Sequence, residues 1–444
     1  MLELLLLPFL ACSPIPAPAP QSTEAPHVLD LRQRAELHDR ILADRLDRLV
    51  PTLMRERGVD LWILVAREYN EDPVLETMLP STWMSARRRT ILLFHDAGPE
   101  LGVRRFAVSR YGVGEFFEAV WDPEAQPDQW ARLGELVREL DPERIAIDTS
   151  STFALADGLS HTEYEGLIGA LGLEYVMRLV DAEGLAIQWL ETRTPLEMEL
   201  YPNVCALAHA IIAEGLSSKA IQPGHTTTAD LQWWFRERIA AAGVDTWFHP
   251  SVSVQRPEGG DEREGFSNPA GVETIRRGDL VWVDLGIEYL GLNTDTQQHA
   301  YVLRAGEDAP PPGLVAGLAA GNRMQDILTS HFADGRSGNE VLALARAQAE
   351  AEGLVPSVYT HPLGLHGHGA GATIGLWDRQ DGVPGRGDYP VRASTAWSIE
   401  LNVTVPVPEW GGQTVRIMLE EDAFFDGEQV RYIDGRQRSL MLIR

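Results

Sequence analysis

Cysteine is nearly absent from these 444 residues: Cys12 and Cys205 are the two in the chain. A disulfide framework is therefore not expected, and without a Cys-x-x-Cys pair neither thiol reads as a zinc ligand. Cys205 lies in an apolar helical stretch and reads as a buried core thiol. Positive charge is also scarce, with 38 Lys and Arg against 65 Asp and Glu and a formal charge of −27. Binding to phosphate polymers needs clustered Lys and Arg, so nucleic acid is set aside as a partner. The apolar run at residues 1–12 is too short to span a bilayer. What remains, 44% apolar and 23% charged, is the composition of a soluble globular protein. Its length exceeds one ordinary core and points to two domains.

The short apolar run fits the hydrophobic region of a secretory signal, and the Pro/Ala-rich residues up to 26 would form an extended tether. Leu10-Ala11-Cys12 resembles the end of a bacterial lipoprotein signal, which implies an exported, periplasmic or lipid-anchored chain tethered at Cys12. Glu3 stands where such signals carry positive charge, and the alternative is a cytoplasmic protein with a frayed tail.

Residues 27–185 alternate between helical and strand patterns. An amphipathic helix at 30–57 leads to strands at 61–65, 90–94, 105–108 and 144–147, with a helix at 128–140. That is an α/β domain. His38, His95 and His161 are isolated there and read as surface or satisfied histidines. A boundary is expected at 182–194. Thr194-Pro195-Leu196-Glu197 then has the form of a capping box opening a helix, with a kink at Pro202. Helices follow at 228–242, 314–332 and 339–352, and the remainder reads as strands and glycine loops. Trp233-Trp234-Phe235 reads as core and interface packing. Residues 190–444 are thus expected to be an α+β catalytic domain.

Its centre is the stretch 278–303. An apolar strand delivers Asp284; Gly286 and Gly291 bracket a short middle strand; Asp295 immediately precedes the next strand. Two carboxylates side by side on neighbouring strands repel unless a cation lies between them or one is protonated. Three further segments carry ligand types. Residues 359–369 place His361, His366 and His368 in a glycine-rich loop without the spacing of a phosphate loop. Glu400 and Glu420 interrupt apolar strand patterns, where an unpaired carboxylate is costly. Oxygen-rich sets with one imidazole suit hard divalent ions, manganese above zinc or cobalt.

In chain order, Asp284, Asp295, His361, Glu400 and Glu420 resemble the five-ligand site of the pita-bread metallopeptidases, which include methionine aminopeptidases, Xaa-Pro aminopeptidases and prolidases. The N-terminal domain is similar in size and pattern to the one preceding the catalytic domain in prolidases and creatinases. The resemblance implies a pita-bread domain holding two divalent ions per chain, most simply Mn2+. Asp284 would chelate one ion, Asp295 and Glu420 would bridge both, and His361 and Glu400 would hold the second. A water shared by the two ions would be the nucleophile. Glu400 would also shuttle protons, and His368 would steady the oxyanion. The implied substrate is a peptide or dipeptide cut before proline, and the family's habit implies a homodimer. Competing readings are a prolidase, a dinuclear hydrolase without proline preference, a metal-free creatinase-like hydrolase and a non-catalytic binding protein. The recognition positions differ from the family: Ser267 and Ser357 replace histidines, and Met418 replaces an arginine, with Arg416 two residues earlier. Ser267, Arg416 and His366 are the candidate substrate-binding residues. His366 has no family counterpart and is alternatively an ordinary loop histidine.

Overall fold

The computed structural model describes residues 26–257 and 271–444. Ser267 and Cys12, with the signal-like run and most of the tether, lie outside the described residues. Among the described residues no helix is long and apolar enough to cross a membrane.

The first half of the chain builds one mixed six-stranded sheet. In chain order its strands are β1 (Leu61–Arg67), β2 (Arg89–Asp96), β3 (Val103–Val108), β4 (Glu118–Ala119), β5 (Ile145–Ile147) and β6 (Leu179–Asp181), arranged β4-β3-β2-β1-β5-β6. β1 is apolar without interruption because both its faces are covered. Leu61, Ile63 and Val65 pack with helices α4 (Gln129–Leu140) and α5 (His161–Val176), whereas Trp62, Leu64 and Ala66 pack under the N-terminal helices. The helix expected at 30–57 is interrupted. It comprises α1 (Leu31–Asp44), a π-helical turn (Arg45–Leu49) and α2 (Val50–Arg57).

The stretch 182–194, expected as a boundary, is helical: α6 (Glu183–Glu191) buries Leu185, Ala186, Ile187, Trp189 and Leu190 in the same core as β1. Its packing, not its flanking sequence, decides this. The π-turn puts Arg45 into the junction between α6 and α7 (Pro195–Gly215). There Glu197 accepts from Arg45 and from Arg193 at 2.9 Å each, with all three side chains at most 2% exposed. Glu197 also closes the capping box with Thr194. α7 runs on through Pro202 to Gly215.

Beyond α7 come α8 (Thr228–Ala242) and three antiparallel or mixed sheets. The first holds β7 (Ser251–Gln255), β8 (Leu280–Leu285), β11 (Thr296–Val302) and the last strand, β19 (Met441–Ile443), in the order β19-β11-β8-β7. α7 and α8 cover it. The middle strand expected between Gly286 and Gly291 is instead a miniature hairpin, β9 (Glu288–Tyr289) and β10 (Leu292–Asn293). Leu290 and Gly291 both have positive φ, 55° and 74°, as a two-residue turn matched to strand twist requires.

α9 (Pro312–Ser330) and α10 (Gly338–Ala351) follow, then β12 (Pro356–Val358), β13 (His361–Leu363), β14 (Thr395–Ser398), β15 (Leu401–Val407), β16 (Gln413–Leu419), β17 (Asp422–Phe425) and β18 (Val430–Tyr432). These form two sheets, β12-β15-β16 and β13-β14-β17-β18. The chain therefore passes between these two sheets three times, between β12 and β13, between β14 and β15, and between β16 and β17. α9 packs on β15 and β16. Trp233 departs from its expected place in the core: it is 61% exposed and lies against His249, while Phe235 is buried.

Truncating a buried charge partner leaves the other charges unpaired. Glu197→Ala is therefore expected to lower unfolding free energy by about 3–5 kcal/mol, measured by urea denaturation. A loss below about 1 kcal/mol would show that the Arg45–Glu197–Arg193 junction is not a structural tie.

Candidate metal centre

Each ligand-type residue sits where a strand begins, ends or changes sheet. Asp284 is the penultimate residue of β8 and faces Gln297 of β11; Asp295 immediately precedes β11. The β9–β10 hairpin folds the ten intervening residues so that the two aspartates return to the same end of neighbouring strands. Glu400 and Glu420, expected inside strands, occupy the sheet changes between β14 and β15 and between β16 and β17. Ile399 N–H donates to Glu421 C=O across them at 3.0 Å. Gln297 exchanges backbone hydrogen bonds with Glu420, joining the first sheet to this crossover. His361 opens β13, opposite Ser398.

The consequence is convergence. Candidate ligand atoms of Asp284, Asp295 and Glu420 lie within 4.8 Å of one another, as do those of His361, Glu400 and Glu420, and those of Asp295, His361 and His368. All five expected ligands and His368 thus come together. His361 Nδ1 faces the Pro362 carbonyl at 3.0 Å, which assigns the proton to Nδ1 and leaves the Nε2 lone pair pointing inward. Nε2 lies 3.7 Å from both Asp295 and Glu420. His361 Nε2, Asp284 Oδ1 and Asp295 Oδ1 are buried without a hydrogen-bond partner. Buried polar atoms are nearly always satisfied, so three orphaned acceptors aimed at one point fit divalent cations. Left to themselves, Asp284, Asp295 and Glu400 are held well above the usual carboxylate range, first by burial and then by repulsion from Glu420. A bound cation reverses both effects.

Several residues around this cluster were not evident from the sequence. Gln297 Nε2 donates to Glu400 Oε1 and to Glu420 Oε2, at 2.8 Å each. Trp282 Nε1 donates to Gln297 Oε1 at 3.2 Å, which fixes the amide's orientation. Ser398 Oγ donates to Glu420 Oε1. Asp422 Oδ1 accepts the Asp295 backbone N–H at 2.9 Å, and burial raises its pKa to about 8. His209 lies between Glu421 and Asp434, 2.8 Å from each. Burial works to discharge His209, but the two carboxylates prevail and raise it to about 10. The available signal for Gln297 was its place two residues after Asp295, on the same face of the strand.

The histidine loop is held from both sides. Asn293, in the small hairpin, donates through its backbone and its side chain to the Gly364 carbonyl, at 2.9 Å each. Gly367 meets the Trp247 ring so closely that a Cβ would lie 2.2 Å from it. His368 is exposed, 3.4 Å from Tyr359 Oη and edge-on to Trp247. His366 does not join the ligand groups. It is half-buried, and burial with the nearby Arg193 charge lowers it to about 4. Arg416 borders a cavity of ≈ 240 Å³ with Glu400, Gln297, Ser357, Asn402 and Met418. Ser357, Asn402 and Met418 form one cross-strand row, Ser357 opposite Asn402 and Asn402 opposite Met418.

Residues 199–422 match the family model for metallopeptidase family M24, and the chain belongs to that family. It is a metallopeptidase. No curated protein matches it in sequence. Among solved structures it is similar to an X-Pro aminopeptidase from Thermotoga maritima, with TM-score 0.62 and 16% identity over 88% of this chain and 99% of that one. It is also similar to an Xaa-Pro dipeptidase from Bacillus anthracis (TM-score 0.59, 17% identity, 93% and 100%) and to a prolidase from Pyrococcus furiosus (0.54, 14%, 88% and 99%). At such identities the likeness establishes the fold. The pita-bread α+β architecture expected from the sequence is the observed one.

Two outcomes follow from this geometry. Removing an amide that orients ligands typically costs 10–100-fold in metal affinity, so Gln297→Leu is expected to weaken Mn2+ binding by about that factor in calorimetry. An unchanged affinity would remove Gln297 from the site. Carboxyls with raised pKa bind more protons folded than unfolded, so their contribution is complete below pH about 4 and is lost as pH rises. Chelator-treated protein should therefore lose Tm between about pH 5 and pH 8, and added Mn2+ should reduce that loss. Exposed carboxylates such as Glu352, lowered to about 2 by Arg323, have finished titrating below this window. A Tm that rises across the window would contradict the assignment.

Proposed function

We propose that this metallopeptidase is an exopeptidase that cleaves the bond between an N-terminal residue and proline. The observation that carries the reading is the convergence of Asp284, Asp295, His361, Glu400 and Glu420 on one buried point, with His368 beside it. In this reading Asp284, Asp295, His361, Glu400 and Glu420 would hold two divalent ions, Mn2+ in preference to Zn2+ or Co2+. The ions supply a Lewis-acidic, water-activating centre. The chain's own residues do the rest. Glu400, fixed by Gln297, accepts a proton from the attacking water and passes it to the leaving nitrogen. His368, at the open side of the cluster, donates to the developing oxyanion. Two of the similar solved structures, named as an X-Pro aminopeptidase and an Xaa-Pro dipeptidase, support proline as the residue after the scissile bond.

A second reading, the same hydrolase without proline preference, is favoured by the row Ser357–Asn402–Met418 beside Glu400. It borders the cavity with neutral side chains at two positions where histidine and arginine are expected. Export with a lipid anchor at Cys12, and a dimeric assembly, complete the proposal.

Purified protein assayed with Xaa-Pro-Yaa tripeptides and Xaa-Pro dipeptides, with Mn2+ or chelator, tests it. Metal-dependent tripeptide cleavage is the expected result, and cleavage of dipeptides alone would assign a prolidase. Cleavage of neither, alongside metal-dependent cleavage of peptides lacking proline, would favour the second reading.

A further inference from the structure

A second cavity has no part in the metal centre. It is an open cleft of ≈ 1090 Å³ at the edge of the six-stranded sheet, beyond the carboxyl ends of β1 and β3. Its charge is opposite to that of the chain. Arg67, Arg87, Arg88, Arg89 and Arg110 line it, with Glu68 the one acidic residue among its lining, in a protein of net charge −27. Five arginines around one space repel one another, an arrangement that an anionic occupant would relieve.

Three of the five guanidinium groups are held in place, and Arg110 lies 3.7 Å from the exposed Glu124. Arg67 and Arg89 both pair with Glu163, a carboxylate 1% exposed beneath the cleft. Arg89 also stacks on Trp130, at 4.8 Å, and Arg87 on Trp83, at 4.9 Å. Groups fixed in advance lose less entropy on binding. The rim is apolar and exposed: Tyr69 is 90%, Met84 92% and Tyr111 58% accessible. Tyr69 and Arg88 both adopt positive φ, 71° and 55°, although neither is glycine, and Glu68 N–H donates to the Arg88 carbonyl at 2.6 Å. Backbone in this region is costly for such residues and gathers at ligand sites.

We propose that this cleft is an acidic-peptide site, separate from the metal centre, in which arginine forks bind Asp and Glu carboxylates while Tyr69, Trp83 and Tyr111 cover the intervening backbone. Arginine, tyrosine and tryptophan are the side chains that dominate peptide and protein contacts. The volume is at the upper end of single-ligand pockets, which suits a peptide segment. The proposal does not depend on the specificity of the hydrolytic site.

The test uses the full chain and a hexaglutamate peptide blocked at its N-terminus by fluorescein, titrated at low salt and followed by anisotropy. Saturable binding is expected, about tenfold or more weaker in Arg87→Glu/Arg88→Glu and, independently, in Arg110→Glu. These are exposed rim residues, so peptide hydrolysis at the metal centre should be unchanged in both. Absence of saturable binding, or affinity unchanged from wild type in both variants, overturns the proposal. Displacement by equimolar inorganic phosphate would reduce it to an anion site and overturns the peptide assignment. A change in sedimenting mass between wild type and variants would assign the surface to a second copy of the chain instead.

Discussion

Four carboxylates and an imidazole buried within a few ångströms of one another set the constraint on the catalytic half of this chain. Such a group is unstable by itself, because burial and mutual repulsion both oppose charge. Divalent cations turn the same arrangement into a strong attraction. The surrounding polar residues are organised to keep the carboxylates aimed: Gln297 between Glu400 and Glu420, Ser398 on Glu420, Asp422 beneath Asp295. The His209–Glu421–Asp434 group continues this layer into α7.

The fold supplies the convergence through strand ends and not through loops. A two-residue turn returns Asp295 beside Asp284, and two sheet changes place Glu400 and Glu420 against them. Backbone pairing between Gln297 and Glu420 then locks the first sheet to the crossover. The N-terminal half meets this assembly at the histidine loop, where Leu365 and Ala370 pack into the core formed by β1, α2 and α6. Glu197 and its two arginines fasten the same junction.

Glu400 and Glu420 were legible in the sequence as candidates because each is a charged residue in an apolar pattern, where only pairing or a metal makes it tolerable; Asp284, Asp295 and His361 were legible by their order and spacing. The helix cap at Thr194 was legible for a similar local reason. What could not be read depends on tertiary packing. α6 is helical because its apolar face meets β1 and α2, and the π-turn exists where Arg45 reaches Glu197. The sheet changes at Glu400 and Glu420 leave no mark in a period-two pattern, so both residues read as interior strand positions. Gln297 is an ordinary strand glutamine until its cross-strand neighbours are known. His366, close in sequence to His361 and His368, lies near Arg193 and outside the ligand groups, a difference that only the tertiary structure shows.

The central claim is that one shared cluster holds the ions, and metal stoichiometry tests it most directly. Elemental analysis of purified wild-type protein dialysed against Mn2+ should give about two ions per chain, as a dinuclear site requires. Asp295→Ala and Glu420→Ala, which remove the shared carboxylates, should each give fewer than about one. Unchanged metal content in both variants would contradict the account.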